Sequence, residues 1–133
     1  MLQTLWLTLD FSDALSNLLP DIAEAQTAQI FLQLMDCEAV GRLKRLTQAQ
    51  PASTSPAQWV PGVIKLELDW PQRAQLAQLL AAQVPRNAPA SLYLEQGGQT
   101  LRCRLEDFEA AAVVTLLEAG VQALEQLIAT QQA

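Results

Sequence analysis

Apolar residues fall at every second position over Leu5, Leu7 and Leu9, and again over Ile64, Leu66 and Leu68. Alternation of that kind predicts half-buried strands, with Trp6 and Thr8 on the face opposite the leucines. Each run ends in an aspartate and an aromatic, Asp10-Phe11 and Asp69-Trp70, followed by a residue suited to a helix start. The likeness continues: Leu15-Ser16-Asn17-Leu18-Leu19 matches Leu76-Ala77-Gln78-Leu79-Leu80, residues 28–33 match 90–95, and Arg42-Leu43 matches Arg104-Leu105. The offset drifts from 59 (5 to 64) to 61 (15 to 76) to 62 (28 to 90), which reads as a degenerate internal duplication.

Residues 2–9 predict the first strand. Asp10 or Ser12 can cap the helix that follows, running to about residue 26. Pro20 lies inside that helix and should kink or split it, because proline removes a backbone donor and crowds the preceding turn. Two patterns compete over 28–46. Ile30, Phe31, Leu34, Met35, Leu43 and Leu46 suit an amphipathic helix, whereas the repeat predicts a hairpin over 28–44 with Asp36-Cys37 near its turn. The counterpart is clearer, since strands 91–95 and 100–104 flank Gln96-Gly97-Gly98-Gln99, and glycine supplies the positive φ of a tight turn.

Residues 47–62 hold Pro51, Pro56 and Pro61, small polar residues and no charge, the composition of a linker. The second strand, 63–68, leads into a helix from Pro71, which suits a first helical position, and that helix should end before Pro85. A long helix over about 106–130 comes last, with Glu106, Asp107 and Glu109 near the positive end of its dipole and a broad apolar face. The order βαββ, βαββ, α predicts one α+β domain over 1–133: a degenerate duplication of a βαββ unit in a mixed or antiparallel sheet, helices packed on it, and a long C-terminal helix. Copy one spans about 2–46, the linker about 47–62 and copy two about 63–105.

Half of the 133 residues are apolar, enough for a core without staples. Eight basic against 14 acidic side chains give a net charge of −6, which disfavours nucleic-acid backbones and anionic membrane surfaces. No basic residue precedes the first apolar run and Asp10 and Asp13 interrupt it, so no signal peptide is expected. The apolar stretch 110–117 falls short of the about 20 residues that cross a bilayer. Two cysteines, Cys37 and Cys103, are too few for a disulfide framework or a four-ligand zinc site, and a reduced, cytoplasmic protein is the expectation. There is no histidine, which removes Ser-His-Asp and Cys-His catalysis and the usual zinc and iron ligand sets. Gly-x-Gly-x-x-Gly, Walker-type and Cys-x-x-Cys motifs are absent too, so no cofactor or metal is expected.

Five of the eight basic residues, Arg42, Lys44, Arg45, Arg102 and Arg104, lie on or just after the last strand of each copy. Were those strands neighbours, the five would form a basic stripe able to hold an acidic segment or a small anion. On an edge strand the same charges only deter aggregation. Trp59, in the linker, is either a binding hot spot or a staple that holds the linker down. Asp10 and Asp69 are either a carboxylate pair across a pseudo-twofold axis or turn and cap residues. Trp70 and Phe11 should pack where helix meets sheet, Tyr93 should sit on the outer sheet face, Cys103 should point inward, and Cys37 should be an exposed thiol near a turn.

These features predict a non-enzymatic adaptor or assembly protein that engages another protein, through an acidic segment of that partner. The spare apolar helix suits a homodimer. The alternative is a small-molecule sensor. Duplicated βαββ units are similar to the effector-binding domains of some multidrug-responsive regulators, which implies a ligand between the copies, with Asp10, Asp69 or Tyr93 in the pocket. An enzyme working through carboxylates is a third class, which would need a buried acid with a raised pKa in a cleft.

Overall fold

A computed structural model describes residues 4–47 and 59–132. Strand β1 (Leu5–Asp10) passes through a 3-10 turn (Ser12–Leu15) into helix α1 (Pro20–Met35) and then β2 (Val40–Thr47). Strand β3 (Trp59–Leu68), a second 3-10 turn (Trp70–Gln72), α2 (Arg73–Gln83), β4 (Ala90–Gln96), β5 (Gln99–Leu105) and α3 (Ala110–Gln132) follow. All strand pairs are antiparallel, and the sheet order is β2-β3-β1-β4-β5. β1-α1-β2 leaves a gap that β3 fills, and β3-α2-β4 leaves a gap that β1 fills, which is the split β-α-β topology. β5 and α3 are additions to it. The α+β class, the antiparallel sheet and the long last helix match the sequence reading.

The hairpin expected over 28–44 does not form. α1 continues unbroken to Met35, because Ala23, Thr27, Ile30 and Leu34 recur at helical spacing and are all buried. Pro20 starts this helix at its first position instead of kinking it, leaving the 3-10 turn as a separate piece. The first half is therefore β-α-β, not βαββ, and β5 has no counterpart in it. The match of Arg42-Leu43 to Arg104-Leu105 joins strands that the topology does not equate, since β2 corresponds to β4. Of the expected linker, 48–58 lies outside the described residues, while Trp59 to Gly62 already belong to β3. Pro61 is tolerated there because β1 pairs with β3 only from Val63, and the pairing with β2 is irregular between Arg45 and Thr47. The predicted Gly-Gly hairpin is present, with φ of 59° at Gly97 and 80° at Gly98.

One face of the sheet carries the helices. Leu7, Leu9, Ile64, Leu66, Leu92 and Leu94 are fully buried on it, beneath α1 over β3, α3 over β5 and β4, and α2 between the two helices. Leu7 and Leu66, 59 residues apart in sequence, are register partners. Most of the apolar face of α3 is used on this core: Val113, Leu117 and Leu124 are buried, with Leu116, Val121 and Ile128 packed against them. Taken whole, this is the one helix among the described residues long and apolar enough to cross a membrane, which the short stretch 110–117 did not suggest. Helices that pack in cores pass the same test.

Gly120 lets α3 approach the sheet. A Cβ there would lie 2.5 Å from Leu94 Cδ1 and 2.9 Å from Cys103 Sγ, and Leu94 is too buried to swing aside. In Gly120→Ala, overpacking of about 1–3 kcal/mol should outweigh a helix-propensity gain of about 1 kcal/mol. The urea midpoint should fall by the equivalent of about 1 kcal/mol at unchanged slope. A midpoint that rises would show that the helix does not seat this closely.

Candidate functional site

Among the described residues, no helix packs on the opposite face of the sheet, which carries the residues that alternate away from the core. The register lines them up in rows. Lys44 of β2 lies opposite Lys65 of β3, Lys65 opposite Thr8 of β1, Thr8 opposite Tyr93 of β4, and Tyr93 opposite Arg102 of β5. A single row thus crosses all five strands with a cation at each end and one inside. The next row sets Trp6 between Glu67 and Glu95.

Trp6 gathers the cations. Arg42, Lys44 and Lys65 stand 4.9, 5.1 and 5.4 Å from its ring centroid, and Arg102 stands 5.9 Å from that of Tyr93. Each such contact is worth about 0.5–1 kcal/mol at an exposed site. Together they offset the directly opposed like charges of Lys44 and Lys65, a pairing that costs stability in a sheet. Arg42 also reaches Glu67 at 2.8 Å and Lys65 reaches Glu95 at 3.5 Å, whereas Lys44 has no ion pair among the described residues. Arg102 donates to Ser91 Oγ at 3.1 Å, and Arg104 pairs with Glu106 at 2.8 Å.

The basic stripe expected from neighbouring strands is not formed. β2 and β5 are the two edges of the sheet, four strand spacings or roughly 19 Å apart. Lys44 and Arg102 share a surface only through Lys65, Thr8 and Tyr93 between them. Arg45 leaves that surface altogether. It turns to the helix side, where Nη1 donates to Glu24 Oε2 at 2.8 Å, Nη2 to Glu24 Oε1, and Nη2 also to the Val60 carbonyl at 3.3 Å. Trp59 covers it at 4.9 Å, and the Arg45 side chain is 5% exposed. Arg45 and Trp59 thus clamp α1 to the β2–β3 edge, and this buried arginine is not open to a partner. Trp59 remains 55% exposed on its other side.

Asp10 and Asp69 do not meet. Asp10 pairs with Val63 at one end of β1, while Asp69 lies just beyond Leu68, the partner of Leu5 at the other end, roughly 20 Å away along the strands. Asp10 Oδ1 accepts the Ser12 N–H at 3.0 Å and the Ser12 hydroxyl at 2.6 Å, the role of a turn residue. Cys37 and Cys103 are free thiols and both are half-buried, so Cys37 is less exposed than the sequence suggested. Burial pushes the Cys103 thiol up, which keeps it protonated and unreactive near neutral pH. Among the described residues no cluster of three or more acidic or thiol ligands could hold a metal ion.

A cleft of about 270 Å³ lies at the end of the sheet, where Leu5, Leu68 and Trp70 face Val121 of α3. It sits beside α3, and neither Leu7 nor Leu66 lines it. Asp69 lines it; Asp10 and Tyr93 do not.

No known family model, curated protein or solved structure matches this chain. The functional reading therefore rests on the chemistry of the open face and the cleft.

Proposed function

We propose that the protein is a non-enzymatic adaptor that holds an acidic segment of a partner protein across the open face of its sheet. One observation carries this: the register gathers Lys44, Lys65 and Arg102 into a row that includes Tyr93, with Trp6 in the row beside it. The face holds Arg42, Lys44, Lys65, Arg102 and Arg104 against Asp10, Glu67, Glu95 and the Glu106 that pairs with Arg104, five cations to four acids, in a chain with eight to 14 overall. An acidic segment is drawn to that face and turned away by the rest of the surface. Arginine forks grip carboxylates, and the two aromatics supply rigid contact area of the kind that dominates interfaces. A degenerate duplication of a β-α-β unit belongs to the same reading, supported by the 59-residue offset that coincides with the Leu7–Leu66 register pair.

The test is calorimetric titration with a Glu/Asp-rich peptide long enough to cross five strands, at low and physiological salt. Lys44→Glu, Lys65→Glu and Arg102→Glu together should weaken binding by about tenfold or more, about 1.4 kcal/mol, with the circular dichroism spectrum unchanged. Equal affinity of the triple variant, or no binding by the native face at low salt, would sink the proposal. The sensor reading stands second, supported by the cleft that Asp69 lines.

A further inference from the structure

We infer that the cleft between the end of the sheet and α3 is a binding site for a small organic cation with an apolar body. The cavity makes the site, and its charge selects the ligand. Leu5 and Leu68 come from the two central strands, Trp70 and Pro71 from the turn after β3, and Val121 from α3, so most of the lining is apolar. About 270 Å³ is slightly below the roughly 300–1,000 Å³ of sites for drug-sized molecules, which suits one ring with a short arm.

Among the described residues, charge on the lining has a single sign. Glu67, Asp69 and Glu125 contribute to it, and no lysine or arginine does. Glu67 is already engaged by Arg42. Among the described residues, Asp69 accepts a neutral amide proton from Gln72 Nε2 at 2.7 Å, and neither it nor Glu125 makes an ion pair. Two carboxylates without a cationic partner among the described residues therefore border an apolar recess. The Trp70 ring lines the cleft and already stacks with Arg73, 4.5 Å from its centroid, and an indole is the side chain on which cations stack best. An anion would meet three carboxylates, and a neutral ligand would leave both unpartnered acids unused. The ligand is opposite in sign to the segment proposed for the sheet face, so the two inferences stand or fall separately.

Three probes that share a ring and differ in charge decide it: benzyltrimethylammonium, benzyl alcohol and phenylacetate, each titrated into the full ¹⁵N-labelled chain. Benzyltrimethylammonium should shift the amides of Leu5, Leu68, Trp70 and Val121 and bind about tenfold tighter than benzyl alcohol, with phenylacetate weakest. Asp69→Asn with Glu125→Gln, both on exposed side chains, should reduce the cation to the affinity of the alcohol and leave the alcohol unchanged. Lys44→Glu should alter neither. Equal binding of all three probes, no cleft shifts with the cation, or a preference that survives the double variant would overturn the inference.

Discussion

Replacing Gly62 by alanine should destabilise the fold by about 2–5 kcal/mol, a large share of the roughly 5–15 kcal/mol that holds a domain together. Its φ is +84°, a left-handed conformation that costs a side-chain-bearing residue about 1–2 kcal/mol. An added Cβ would lie 2.6 Å from Ser12 Cα and 2.8 Å from Ser12 N, and backbone atoms cannot rotate away. The collision reaches further than one contact. The Gly62 carbonyl accepts the Phe11 N–H at 2.7 Å, and its N–H donates at 2.8 Å to the hydroxyl of Thr27, which in turn donates to the Ala23 carbonyl. Moving residue 62 breaks the join between the end of β1, α1 and β3. Gly98 is the control, with a φ of +80° and open space around it, so Gly98→Ala should cost only the conformational part. Urea unfolding followed by tryptophan emission separates the two, and equal losses would show that the approach to Ser12 is not tight.

Glu24→Ala should cost about 2–4 kcal/mol, because it leaves the Arg45 guanidinium buried with one carbonyl and a tryptophan ring for company. Arg45 Nε already has no hydrogen-bond partner among the described residues. Arg45→Met should be close to neutral, since an apolar stem of similar length fills the space without stranding a charge. That asymmetry distinguishes a structural clamp from a partner-binding arginine. Arg45→Met should also leave binding of the acidic peptide unchanged, where Lys44→Glu does not. A loss with Arg45→Met as large as with Glu24→Ala would mean that the ion pair is itself a main source of stability.

The strands were legible because alternation is a local signal, and Gly97-Gly98 marked its hairpin for the same reason. The outward placement of Trp6 and Tyr93 followed from that alternation. The helical course of α1 is local as well, in the buried spacing of Ala23, Thr27, Ile30 and Leu34, and the hairpin that the repeat predicts there conflicts with it. The surface was half legible. Outward cations on β2 and β5 could be read, but which strands lie side by side depends on packing that no local pattern encodes. Lys65 was missed because a lone lysine in an alternating strand carries no signal until Lys44 and Thr8 are known to flank it. Arg45 takes the face opposite to Lys44 by plain alternation, set against the buried Ile64, so grouping the cations by strand instead of by face puts it on the wrong side.

The central position of β1 has a consequence for how the chain is made. Leu7 pairs with Leu66 and Leu94, and both partners leave the ribosome long after it does. At about 5–20 residues per second, the strand around which the sheet is built waits on the order of several seconds with three leucines unpaired. The β4–β5 hairpin, by contrast, can close as soon as it emerges. Interception by chaperones or by neighbouring nascent chains should therefore concentrate on the N-terminal strand, and a silent change that slows translation between β2 and β3 should lengthen that exposure.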